Sequence, residues 1–128
     1  MPGFDGTDKI ILHRYDDGVP FAFAFPACST ATANDGAIPN GTTISSATVT
    51  VHKSRTGADV TTQMVVGSPS VGANLITVAL QYPPTSGVGS YYIRFLITIT
   101  GGAIMEFNFD RLEVKTYRWT SSTRVTSL

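Results

Sequence analysis

The residues of this 128-residue chain that could do chemistry are two histidines, one cysteine and a scatter of carboxylates. His13 and His52 each lack a second His or a Cys at metal-ligand spacing, so they read as solvated or structural side chains. Asp5, Asp8, Asp16 and Asp17 could gather around calcium, but they lack the alternating spacing of a calcium loop and read as turn residues. Glu106 and Asp110 could pair for acid–base work, yet they share parity on one strand and face away from its phenylalanines, which makes a solvent face. No Gly-x-Ser-x-Gly supports a nucleophilic serine. Gly87-Val88-Gly89 precedes a strand rather than a helix, so it is no phosphate loop. Asn40-Gly41-Thr42 has the pattern of a glycosylation acceptor and reads as a turn. Cys28 is the lone cysteine and reads as a small buried hydrophobe. The expectation is a protein with no catalytic, metal-binding or cofactor-binding set.

Positioning elements must come from a chain with few charges. Only 14% of residues are charged, and nine Lys plus Arg balance nine Asp plus Glu. A surface so sparsely charged has little protection against association, which suits burial in an assembly. It does not suit a basic nucleic-acid binder. No apolar run is long enough for a membrane helix. The opening MPGFDGTDK is polar and acidic, unlike a secretion signal.

The dominant pattern has period two, rich in Thr, Val and Ile, with no capped helical stripe. A first short strand is expected over Lys9 to Tyr15. An aromatic strand follows, with Phe21, Phe23 and Phe25 on one face and alanines on the other. Residues 26 to 43 are loop-like. Further strands are expected over Ile44 to Lys53, Val60 to Val66 and Asn74 to Tyr82, then over Ser90 to Thr100 and Ala103 to Lys115. On the last, Met105, Phe107 and Phe109 share a face, but the apolar phase then switches to Leu112 and Val114. One extra residue near Asp110 and Arg111, a β-bulge, explains the switch. A two-residue turn at Gly101-Gly102 would set Phe95 opposite Asn108. Pairing Phe95 with Phe107 inside the core requires a three-residue connection or a bulge. The expected fold is all-β, an immunoglobulin-like antiparallel β-sandwich of about seven strands with terminal arms. Its core is expected to hold Val49, Val51, Ile76, Val78, Leu80, Ile93, Phe95, Ile97, Phe107 and Phe109. Residues 1–43 supply an N-terminal arm, first strands and a loop, 44–115 the sandwich body, and 116–128 a C-terminal arm.

Aromatic and charged residues toward the ends suggest contacts with partners. Tyr117 and Trp119 share parity and sit beside Arg118 and Arg124. Aromatics and Arg dominate interface energetics, so these four, with Phe21, Phe23 and Phe25, are the candidate interface residues. The phenylalanines could equally pack in the core, and the aromatics could form a sugar-binding platform. Residues 1 to 36 carry Asp5, Asp8, Asp16, Asp17 and Asp35 against Lys9 and Arg14. Residues 111 to 128 carry Arg111, Lys115, Arg118 and Arg124 against Glu113. Ends of opposite sign suit head-to-tail contacts between copies, or pairing within one chain.

The arrangement of KIILHRYD, the segment Gly41 to Val51 (GTTISSATVTV), the Val78-Ala79-Leu80 strand, the Gly-x-Gly turn, the Tyr-rich strand and the closing Gly-Gly hairpin resembles small Ig-like virion proteins of tailed bacteriophages. The likeness is to those called fiber-tail adaptors, over about residues 8 to 115. Departures are phenylalanines where tryptophans are usual on the early aromatic strand, and a longer end after Thr116. The resemblance implies a structural virion protein, an adaptor subunit at the neck, tail or fiber attachment region. Its partners would be copies of itself in a symmetric ring and other virion proteins, with no nucleic acid or membrane. It would lie in the virion, and in the host cytoplasm during assembly. The alternative is a capsid decoration protein or a carbohydrate-binding module used in host adsorption.

Overall fold

The computed structural model describes residues 10–28 and 37–115. Nine strands and one helical turn are found there: β1 (Ile10–His13), β2 (Val19–Ala24), β3 (Ala27–Cys28), β4 (Ile38–Pro39), β5 (Ile44–Lys53), α1 (Thr61–Met64), β6 (Ser70–Val71), β7 (Leu75–Leu80), β8 (Gly89–Ile99) and β9 (Ile104–Lys115). Seven of the strands form two packed sheets, ordered β1-β9-β8-β5 and β2-β7-β6. This is the immunoglobulin-like sandwich that the period-two pattern called for. Two features differ from a wholly antiparallel body confined to 44–115. β1 pairs with β9 in parallel, Ile10 opposite Leu112. β2 pairs with β7, Phe23 opposite Ile76, so both sheets draw on residues before 44.

The core follows from alternation. On β8, Tyr91, Ile93, Phe95, Ile97 and Ile99 are buried, while each intervening residue reaches the other face. All ten core residues expected from the sequence are buried. Phe23 and Phe25, read as candidate interface residues, are core instead, each 1% exposed. Pairing of β2 with β7 sets their face against β8 and β9. Phe23 meets Phe95 at 4.9 Å and Phe109 at 5.4 Å between ring centroids, and Phe25 meets Phe95 at 5.4 Å and Phe107 at 5.6 Å. Tilted and edge-on contacts of this kind add roughly 0.5–1.5 kcal/mol each beyond the area that they bury. Phe21 is only partly buried at the margin of this cluster.

The β8–β9 hairpin has the three-residue connection that the apolar faces require. Phe95 stands opposite Phe107, and the Ile99 N–H bonds to the Ala103 carbonyl across Thr100, Gly101 and Gly102. Both glycines have positive φ, 95° and 92°, which a side chain would resist. Farther along, Ile93 faces Phe109 but Tyr91 faces Leu112, so Asp110 and Arg111 together oppose Tyr92. The bulge turns Leu112 and Val114 into the core after Phe107 and Phe109.

The segment Val60 to Val66, expected as a strand, is instead the helical turn α1 followed by an isolated bridge at Val65. Asp59 Oδ1 accepts bonds from the Thr61 amide and hydroxyl, 2.9 and 2.6 Å, and this local turn overrides the β-branched composition. The same contacts, the hydroxyl first, hold the Asp59 carboxyl below its ordinary value. Thr61 Oγ1 also accepts the Val51 amide, while the Val60 amide bonds to the Val51 carbonyl, so the segment covers part of the β5 edge. Gln63 bonds to Ser86 and Gln81, tying α1 to the β7–β8 connection.

At that connection the Tyr91 hydroxyl donates to the Gly87 carbonyl, four residues upstream, which is the tyrosine corner of immunoglobulin-like sandwiches. Lys53 lays its stem over this corner, with Nζ on the Ser86 carbonyl at 2.7 Å and 5.8 Å from the Tyr91 ring centroid. Truncating Phe95 or Phe107 to Ala is expected to cost about 3–5 kcal/mol in denaturant unfolding. Tyr91→Phe removes only the hydroxyl bond and should cost about 1 kcal/mol. A Phe95→Ala loss below about 1 kcal/mol would remove that ring from the core.

Candidate interaction face

Because β8 alternates, the residues between its buried positions line the outer face of the four-stranded sheet. Tyr92 and Arg94 come from β8, Thr50 and His52 from β5, Glu106 and Asn108 from β9. The register sets His52 opposite Tyr92, Thr50 opposite Arg94, and Arg94 opposite Asn108.

Their side chains are fixed by one another. His52 Nδ1 lies 3.2 Å from the Gly57 carbonyl, which can only accept, so Nδ1 carries the proton. His52 Nε2 then accepts from the Thr50 hydroxyl at 2.9 Å. Held at both nitrogens, the imidazole backs the Tyr92 ring, 5.0 Å away and 11° from parallel. On its other side Tyr92 meets the bulge, where no single β9 residue stands opposite it. Glu106 is engaged at both oxygens, by Arg94 Nη2 at 3.2 Å and by Asn108 Nδ2 at 3.0 Å. The Asn108 bond first, then Arg94, holds the Glu106 carboxyl below its ordinary value. So exposed an ion pair adds little stability, and its effect here is to align three planar polar groups. Arg94 Nε is shielded from solvent and meets no acceptor among the described residues. An unmet buried donor of this kind costs about 1–3 kcal/mol.

Tyr92, Arg94, Glu106 and Asn108 line a shallow groove of about 440 Å³. Across the bulge, Ser90, Asp110, Arg111 and Glu113 line a second depression of about 190 Å³. Each lining combines donors with acceptors. In the larger groove one Arg offsets one Glu, so it favours no strongly charged ligand.

Of the interface residues expected from sequence, Phe21 lies on β2, Phe23 and Phe25 are core, and Tyr117, Arg118, Trp119 and Arg124 lie outside the described residues. Phe21, Phe23 and Phe25 do not belong to this face. Sequence reasoning placed Glu106 and Asp110 on a solvent face but passed over Tyr92, Arg94 and Asn108. Parity held the signal: if Tyr91, Ile93 and Phe95 point inward, Tyr92 and Arg94 point outward. His13, read as solvated or structural, is buried at 3% exposure, and its amide bonds to Asp16 Oδ2. No group of His, Cys, Asp and Glu suited to a metal ion occurs among the described residues. None of the helices among them is long and apolar enough to cross a membrane. No protein-family model matches the chain, and no curated protein matches it at significant similarity.

The geometry of the Glu106 cluster can be tested by its titration. The Glu106 carboxyl should titrate below the ordinary 4.5, and Asn108→Ala should move it back toward that value. With its folded value depressed, Glu106 contributes stability above the unfolded value that is lost as pH falls through the folded one. Carbon-detected NMR titration of wild type and Asn108→Ala checks this, and an identical midpoint in both would separate Asn108 from Glu106.

Proposed function

We propose that this chain is a structural virion protein of a tailed phage, an adaptor subunit at the neck, tail or fiber attachment region. In this reading its work is binding rather than turnover, without cofactor, metal, nucleic acid or membrane. It assembles in the host cytoplasm and acts in the virion, through contacts with copies of itself and with other virion proteins. The observation that carries the reading is an immunoglobulin-like sandwich built from the segments behind the resemblance. ISSATVTV is most of β5, and the closing Gly-Gly hairpin joins β8 to β9. A rigid sandwich that presents flat faces and carries no net charge suits a subunit packed among others.

Tyr117, Arg118, Trp119 and Arg124 are proposed as contacts to neighbouring subunits, since aromatic and Arg side chains anchor interfaces. A chain ending at Lys115 should then unfold at the wild-type midpoint yet fail to enter particles. Particle occupancy is read by quantitative mass spectrometry after complementation of a deletion mutant. Wild-type occupancy would dismiss these four residues as contacts, and absence of the full-length chain from purified particles would dismiss the virion role. The second reading, carbohydrate binding in host adsorption, is favoured by the outer-face groove rather than by the chain ends.

A further inference from the structure

The outer-face groove combines an aromatic ring with aligned planar polar groups. Tyr92 lines it with its ring stacked on His52, and Asp110 and Arg111 stand opposite across the bulge. Beside it Arg94, Glu106 and Asn108 are aligned by mutual hydrogen bonds. Arg94, its side chain 42% exposed, lines the groove beside Glu106 and Asn108. A sugar hydroxyl both donates and accepts, and adjacent hydroxyls lie in a fixed geometry. Planar amide, carboxylate and guanidinium groups match such pairs, while sugar C–H faces pack on aromatic rings.

We propose that this groove is a binding subsite for an uncharged saccharide. The sugar ring packs on the part of Tyr92 that lines the groove. Its adjacent hydroxyls donate to Glu106 and Asn108 Oδ1 and accept from Arg94. The offsetting charges of Arg94 and Glu106 select a neutral ligand over a phosphorylated or acidic one. The groove's volume lies within the roughly 300–1,000 Å³ of small-ligand sites, though it is open, so weak monovalent binding made useful by repeated copies is expected. This site needs no particular place in a virion, and it stands or falls apart from the assembly reading.

The test uses the full chain on an array of neutral and acidic oligosaccharides, followed by calorimetric titration with the strongest neutral oligosaccharide. Tyr92→Ala should weaken binding about tenfold or more, and Tyr92→Phe should keep most of it, because stacking needs only the ring. Asn108→Ala, an exposed change that spares the fold, should weaken binding severalfold, about the worth of one hydrogen bond. Unfolding midpoints of each variant confirm an intact sandwich. The proposal is overturned if no neutral oligosaccharide binds at millimolar concentration, or if only acidic ones do. It is equally overturned if Tyr92→Ala and Asn108→Ala bind as wild type. A Tyr92-dependent dimer that excludes sugar, seen by light scattering, would give the face to a second copy and overturn it too.

Discussion

The pairing of β8 with β9 carries one extra residue, and most of the molecule depends on it. Strand side chains alternate strictly, so a constant register could keep Phe107 and Phe109 inside only by turning Leu112 and Val114 out. Two residues, Asp110 and Arg111, stand opposite Tyr92 and absorb the phase change. Both apolar rows then reach the core, and Leu112 and Val114 are almost fully buried. At the same step β9 is aligned with β1 in parallel, Leu112 against Ile10 and Val114 against Leu12. Without the shift, the first strand would meet the polar rather than the apolar phase of the last.

The inner and outer faces of the sheet are therefore coupled. Inside, Phe95, Phe107 and Phe109 meet Phe23 and Phe25 of the opposing sheet, and this aromatic layer fixes how the sheets sit on one another. Outside, Tyr92 has His52 as its partner on β5 and the two bulge residues, Asp110 and Arg111, opposite it on β9. Two polar depressions flank the bulge. Bulges are enriched beside functional sites because they redirect side chains without disturbing the rest of a sheet. Here the residue skipped by the ladder is the aromatic one, and its neighbours are the planar polar groups.

Where structure depends on near neighbours, the sequence was readable. The alternation of β5, β7, β8 and β9 marked the core residue by residue, and the switch from Phe109 to Leu112 located the bulge. The same alternation demanded the three-residue connection that places Phe95 on Phe107. Val60 to Val66 departs from a strand despite its Val and Thr content because Asp59 bonds to Thr61 and Thr61 to the Val51 amide. Phe23 and Phe25 could not be assigned to core or interface by pattern, since only the pairing of β2 with β7 decides what their face meets. The parallel contact of β1 with β9 left no local trace. The outer face was half legible: parity put Tyr92, Arg94 and Asn108 outside, but only cross-strand register brought them together.

The most direct test of this account is the map of interstrand backbone NOEs between β8 and β9 in the folded protein. Contacts of Phe95 with Phe107 and of Ile93 with Phe109 are expected, then a one-residue step to contacts of Tyr91 with Leu112 and of Gly89 with Val114. A single unbroken register from Ile97 to Gly89, with Tyr91 opposite Arg111, would contradict it. That result would remove both the inward turn of Leu112 and the bulge opposite Tyr92.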